Sequence, residues 1–422
     1  RQRQMCIRDS LVNRSYADKY NLIACAIGHH IYESRWLRNP EYLNQIIHTW
    51  YRGNEGGPMA KMTKFSSWNA DAVLGRYMVD GNKEFLLDMV KDLEAEYARW
   101  EKTNRLSNGL YWQGDVQDGM EESISGGRRK QYARPTISSY MYGNAKALSL
   151  IGIMTGDEGM AMKYGLKADS IKTLVQDKLW NTDHHFFETM RGDASAEVRE
   201  AIGYIPWYFN LPDASSQYDV AWKEVMDEKG FSAPYGLTTA ERRHPEFRTH
   251  GVGKCEWDGA IWPFASAQTL TAMANFMNNY PQTVLTDSVY FHQMERYVES
   301  QHHRGRPYIG EYLDEVTGYW LKGDQERSRY YNHSTFNDLM ITGLIGLRPR
   351  MDNTVEVNPL IPEGKWDYFC LDNVLYHGRN LTILWDKDGS RYQRGKGLHI
   401  YVDGKEVGHA DTLTRVLCEN VL

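Results

Sequence analysis

Apolar positions recur at spacings of three and four through most of the first 350 residues, the pattern of amphipathic helices. Leu22, Ile23, Ala26, Ile27 and Ile31 predict a helix over 16–37 that stops at Arg38-Asn39-Pro40. Pro40 opens a second helix carrying Leu43, Ile46, Ile47 and Trp50 on one face. A third is expected over 66–79 and a fourth over 83–102, joined by the turn Asp80-Gly81-Asn82. Helices over 136–154 and 159–180 form the next hairpin across Thr155-Gly156-Asp157. Those over 261–279 and 287–300 form another, and a last helix is expected over 334–347. Between these pairs, 202–209 and 220–226 read as short helices, and 183–190 alternates like a strand.

After residue 350 the period changes to two. Val355–Val357, Tyr368–Leu371, Tyr376-His377-Gly378, Leu381–Trp385 and Leu398–Val402 read as short strands between Gly, Asp and Asn turns. Successive helical hairpins followed by β structure predict a mainly α fold, an (α/α)6 toroid with a small C-terminal β-sandwich-like segment. A solenoid fits less well, because no fixed sequence period is visible. The division expected from this is a helical catalytic domain over 11–350 and a β domain over 351–422. Residues 1–10 resemble a translated adapter scar and are set apart as a non-native leader. A truncated N-terminus follows from that reading, with a periplasmic or secreted location favoured over a cytoplasmic one.

Composition narrows the function more than the fold. At 422 residues with 41% hydrophobic and 25% charged positions the chain is an ordinary globular sequence. A net charge of −6 with scattered lysines and arginines gives no footprint for nucleic acid. No apolar run reaches the length of a membrane span. Five widely spaced cysteines match neither a disulfide framework nor a zinc site. The histidines come as adjacent pairs rather than at i, i+4, so no metal and no cofactor are expected. Oligomeric state is not written in the sequence. Aromatic residues make up 13%, many beside loops, where flat rings can stack on sugar faces.

Two acidic connectors stand out against this background. Residues 115–136 hold Asp115, Asp118, Glu121 and Glu122 with three glycines and three arginines, and residues 308–318 hold Glu311, Asp314 and Glu315. Glycoside cleavage needs one carboxylic acid to protonate the leaving oxygen and a second carboxylate to attack or to activate water, so acids on two separate loops suit it.

Three segments then carry a family resemblance, and they occur in family order. Asp118-Gly119-Met120-Glu121-Glu122-Ser123 resembles the Ser-Gly-Met-Asp-Asn-Ser motif that bears the catalytic acid in the clan of trehalase, processing α-glucosidase I and mannosylglycerate hydrolase. Trp257-Asp258-Gly259-Ala260-Ile261-Trp262-Pro263 is similar to that clan's Trp-Arg-Gly-Pro-Val-Trp-Pro, which lines the sugar site. Glu311-Tyr312-Leu313-Asp314-Glu315-Val316-Thr317-Gly318 resembles the segment that bears the catalytic base.

The resemblance implies an inverting, exo-acting hydrolase of α-linked glucosides or related oligosaccharides, with Glu311 as base. Glu121 or Asp118 is then the acid, since glutamate stands where the clan has aspartate and Asp118 where it has serine. Expected sugar contacts are Arg35 and Trp36 at the first helix end, Trp68, Trp112, Asp115, Arg134, Trp257, Asp258 and Trp262. Arg134 could instead hold an acid in place, and Asp258 could cap its own helix. The rival readings are an α-L-rhamnosidase-like or phosphorylase-like toroid enzyme, or a carbohydrate-binding protein without catalysis.

Overall fold

A computed structural model describes residues 24–422 except 63, 129, 252, 253, 324, 326, 327, 329, 330 and 332. The leader at 1–10 and the expected helical turns at 16–23 lie outside the described residues. Among the described residues, eleven α-helical segments follow in chain order: α1 (Ile27–Ser34), α2 (Glu41–Arg52), α3 (Asn69–Asp80), α4 (Lys83–Asn104), α5 (Pro135–Thr155), α6 (Glu158–Leu179), α7 (Ile205–Tyr208), α8 (Ser216–Asp219), α9 (Pro263–Asn279), α10 (Asp287–Ser300) and α11 (Phe336–Leu339). A 3-10 turn, Ala201–Tyr204, leads into α7, and a π turn, Met340–Leu344, continues α11.

The odd-numbered helices form a ring. Helix α1 packs on α3, α3 on α5, α5 on α7, α7 on α9, α9 on α11, and α11 returns to α1. The even-numbered segments lie outside this ring, with α4 against α3, α6 against α5 and α10 against α9. The burial follows from that placement. In α4 a single stripe is covered, Phe85, Leu86, Met89, Leu93, Tyr97 and Trp100, and in α6 the stripe is Met160, Tyr164, Ala168, Ile171, Val175 and Leu179. In α5 and α9 nearly every face is buried, because each is walled by neighbours on all sides. This is an (α/α)6 toroid.

Helix ends explain why the turns are where the sequence puts them. Gly81 and Gly156 take left-handed backbone angles just past α3 and α5, and the Asn82 and Asp157 side chains accept the Phe85 and Met160 amides at the starts of α4 and α6. Such inner-to-outer connections are short. The outer-to-inner connections, 53–68, 105–134, 180–200, 226–262 and 301–335, are long, and all emerge at the end where the inner helices begin. That end carries the two acidic connectors.

The opposite end is closed by β structure. Four strands, Tyr368–Tyr376, Arg379–Asp386, Gly397–Val402 and Lys405–Ala410, make an antiparallel meander, beside a three-stranded sheet of Leu347–Arg348, Val355–Val357 and Val416–Cys418. The sequence splits 368–371 from 376–378, but the structure runs one strand through both, with a bulge between Leu371 and Val374, and places His377-Gly378 in the turn. His377 seats that turn on the end of α3, its amide donating to Val79 O at 2.7 Å and its ring meeting Met78 O at 2.9 Å. The expected helix over 334–347 ends early for a related reason, since Leu347–Arg348 joins the sheet. The strand-like 183–190 divides into two-residue strands, Phe186–Phe187 pairing with Trp180–Asn181 and Met190–Arg191 pairing with Ala194–Ser195. No described helix is long and apolar enough to cross a membrane.

The ring seam depends on close approach. A Cβ on Gly28 of α1 would sit 2.2 Å from the Trp68 ring, which itself is buried against Tyr140, Phe264 and His29. Gly28→Ala should therefore destabilise the protein by about 1–3 kcal/mol through overpacking, although the same change in a free helix is stabilising. A thermal midpoint equal to or above that of the unchanged protein would refute this account of the seam.

Candidate active site

Residues 105–134 leave α4 as an extended connector. Trp112–Gln113 pairs with Tyr132–Ala133, so the loop returns on itself and delivers Arg134 to the N-terminus of α5, with Pro135 in the first turn. Arg134 is fully buried. Its Nε donates to Asp118 Oδ2 at 2.8 Å, and its remaining nitrogens reach Ser125 Oγ at 3.4 Å and Ser123 Oγ at 3.5 Å. Thr136 Oγ1 also donates to Asp118, whose carboxylate has no exposed surface. Asp118 is thus committed to holding the loop onto α5.

Glu121 sits three residues on, half-buried, beyond a turn in which Gly119 has φ +75 and faces Cys25. Met120 is buried and its amide donates to Asp115 O at 2.8 Å, which fixes the backbone beside Glu121. The Glu121 carboxyl is pushed up to about 7, first by burial and then by the charges of Glu311 and Asp115, against the opposing pull of its own backbone amide and Lys322. Asp115 is buried, its Oδ1 accepting the Val116 amide at 2.8 Å.

Glu311 occupies the second loop in a different setting. The chain turns at Asp314, whose Oδ1 accepts the Val316 and Thr317 amides at 3.1 and 2.8 Å and the Thr317 hydroxyl at 2.9 Å, and Gly318 follows at φ +68. Leu313 then pairs with Trp320 on one side and with Ile261 on the other. Glu311 Oε1 accepts from Lys322 Nζ at 3.3 Å and Oε2 from Ser328 Oγ at 3.2 Å. Both candidate carboxyls are largely buried but differently dressed: burial raises Glu121, whereas Glu311 is held by an ammonium and a hydroxyl.

The Trp257–Trp262 segment links these loops. Arg248 pairs with Glu256 at 2.7 Å and with Glu315, so the 226–262 and 301–335 connections are tied together. Trp257 stacks on Trp262 at 4.4 Å, and Trp262 on Tyr312 at 4.5 Å, nearly parallel. Both tryptophans are buried; the ladder braces Tyr312, next to Glu311, through its faces. Asp258 is fully buried and accepts the His250 amide at 3.0 Å, with its Oδ2 2.8 Å from His250 Nδ1. His250, one-third exposed, points its other nitrogen towards Glu122 Oε2 at 3.9 Å.

The remaining predicted contacts divide by position. Trp112 is half-buried on the outgoing strand of the first loop. Trp68 is a ring-core residue, 1% exposed. Arg35 and Trp36 follow the C-terminus of α1, at the end away from the long loops. There both donate to Asp338, and Arg35 also reaches Gly75 O. Arg35 lines a separate cavity of about 220 Å³ with Tyr32, Asp71, Lys146 and Arg348. Sequence reasoning missed Lys322, Ser328, His250 and Cys255. Of these only Lys322 has a legible signal, its register opposite Glu311 across a turn. Among the described residues no cluster of three His, Cys, Asp or Glu side chains could hold a metal ion.

Comparison with known proteins gives the family and the fold. The family described as the mannosylglycerate hydrolase MGH1-like glycoside hydrolase domain matches residues 19–334, and the C-terminal domain of glycosyl hydrolase family 65 matches 347–409. A solved structure named sialidase is 80% identical with a TM-score of 0.97. It is matched over 100% of this chain but 40% of its own length, so the chain spans well under half of that protein. A GH63 mannosylglycerate hydrolase from Thermus thermophilus, solved with glucose, shares the fold at 11% identity and a TM-score of 0.61, over 81% of this chain and 99% of that one. An uncharacterized conserved protein of the same organism shares it at 12% identity and a TM-score of 0.62, over 81% of this chain and 100% of that one.

Arg134→Met would leave Asp118 charged, buried and unpaired, a loss of about 3–5 kcal/mol. Asp118→Asn keeps the shape and the Thr136 contact and should cost less. Denaturant midpoints for the two variants check the order; a milder effect from Arg134→Met would contradict it.

Proposed function

The chain belongs to the mannosylglycerate hydrolase MGH1-like glycoside hydrolase family, and we propose that it is an inverting, exo-acting hydrolase of α-linked glucosides or related neutral oligosaccharides. The observation that carries this reading is the contrast between Glu121 and Glu311. A carboxyl raised to about 7 by burial retains a proton at neutral pH to give to a leaving oxygen. A carboxylate held by Lys322 and Ser328 is set to accept one from water. Water attacks the anomeric carbon as Glu311 takes its proton, the glycosidic C–O bond breaks, and Glu121 protonates the departing oxygen. Asp118, committed to Arg134, is left out of the proton transfer.

Exo-action is supported by the floor of the ring. His29, Trp68, Tyr140 and Phe264, contributed by or next to four inner helices, pack against one another beneath the loops, in keeping with a blind pocket that takes a chain end. A neutral sugar is supported by the state of four described cations around the two loops. Lys322, Arg134, Arg248 and Arg128 are each held by a protein carboxylate. The name sialidase on the longer, 80% identical protein makes a sialoside the comparison that matters in a substrate panel.

Glu311→Gln and Glu121→Gln should each lower turnover of an α-linked disaccharide by about 10²- to 10⁴-fold. On a glycosyl fluoride, whose leaving group needs no proton, Glu121→Gln should be largely spared and Glu311→Gln should not. Proton NMR of the first product should show the anomer opposite to that of the substrate. Activity should fall as pH rises through about 7, because the acid must be protonated in the folded site. Full activity in both variants, or cleavage of the sialoside alone, would sink the assignment.

A further inference from the structure

The return strand after Glu311 brings a cation to it by register. Leu313 pairs with Trp320 in antiparallel fashion, and the Leu321 amide donates to Tyr312 O at 3.1 Å. Two places further out, the same register sets Lys322 opposite Glu311, the closest arrangement that cross-strand neighbours can take. Lys322 Nζ lies 3.3 Å from Glu311 Oε1, and the two side chains are 3% and 10% exposed. The ammonium also meets Cys255 Sγ at 3.6 Å and stands over the Tyr312 ring at 4.8 Å. Such a desolvated pair is costly to build, and it makes the charge of each member depend on the other.

We propose that Lys322 is a positioning residue of the hydrolytic reaction, which keeps the proton of the site off Glu311 and returns Glu311 to its charged form after every turnover. The proposal rests on the acid and base roles given above. Hydrolysis with inversion leaves Glu311 carrying the proton taken from water and Glu121 ionised. The next cycle requires that proton to leave Glu311 for solvent and another to arrive at Glu121. An ammonium fixed on Glu311 drives the first of these steps, because it stabilises the charged carboxylate and repels a proton. Burial of Glu121 drives the second, as its charged form is the one that desolvation disfavours.

The groups facing Lys322 are Glu311 and Tyr312 from its own hairpin, Cys255 from the 226–262 connection, and Glu121 from the first loop. Of these, Glu121 is the carboxyl that burial pushes up to about 7. Tyr312 and Cys255 are both raised by burial, so they stay neutral and leave the ammonium to the carboxyls.

The test is the pH profile of kcat/KM in the full chain for Lys322→Gln, which keeps a donor without charge, Lys322→Met, and Lys322→Arg, which keeps the charge. Removing the cation that sits 3.3 Å from Glu311 should move the acidic limb up. The alkaline limb should move up with it, since Lys322 opposes the rise at Glu121. Turnover below the limb should fall at least tenfold, and Lys322→Arg should keep both limbs in place. The proposal is overturned by a uniform loss with unmoved limbs in either neutral variant, or by equal shifts in Lys322→Arg and Lys322→Gln. Undiminished turnover in Glu311→Gln is a separate result that removes the base itself.

Discussion

The buried pair between Arg134 and Asp118 is the constraint on which the site depends. Neither side chain has exposed surface, and the two bind parts of the chain with different tendencies, a polar loop and the first residue before an inner helix. A charge pair in such a setting adds little net stability, because the desolvation of both ions offsets their attraction. Its value is geometric. With Thr136, Ser123 and Ser125 satisfying further donors and acceptors, the loop has one place to sit, and Glu121 three residues on inherits that place. Ser125 extends the anchor to Glu200, a buried acid raised by desolvation and opposed by the charge of Arg134, at the start of the next inner helical segment.

The second loop is secured by other means. Its turn is closed by Asp314 on Thr317, its flank by Ile261 pairing with Leu313, and its face by the Trp257–Trp262–Tyr312 ladder. The two carboxyls thus rest on different supports, which the 226–262 connection joins through Arg248 to Glu315 and through His250 towards Glu122. This division allows their environments to differ, since desolvating Glu121 requires nothing of the hairpin that holds Glu311. Proton traffic between an acid and a base needs that difference in environment more than it needs either residue to be unusual.

Much of this was legible in the sequence because it is local. Helical period, the turns Asp80-Gly81-Asn82 and Thr155-Gly156-Asp157, and the change to period two after 350 are properties of neighbouring residues, and the structure keeps them. The two acidic loops were legible as motifs. What could not be read was the state of each acid, because that depends on partners far along the chain. The motif register sets Glu121 at the acid's position and Asp118 at the serine's while leaving either able to serve as the acid, and what parts them in the structure is Asp118's pairing with Arg134, sixteen residues on and folded back. Arg35 and Trp36 show the same limit from the other side. They stand at the C-terminus of an inner helix, and the long loops gather at the N-termini, so the polarity of the ring carries them away to Asp338.

That polarity also orders the molecule as a whole. An inner helix must begin at one end of the ring and finish at the other, so five long connections share the starting end and the sheets take the finishing end. The connections are polar and irregular there, and the residues just before the inner helices, Trp68, Arg134 and Trp262, tie them to the ring, Arg134 through Asp118 and Trp262 through Trp257 and Tyr312. Each of these three residues immediately precedes an inner helix and is buried, and each joins the ring core to the wall of the site. The stability of the ring is therefore what lets a surface of loops hold two carboxyls in fixed and unequal surroundings.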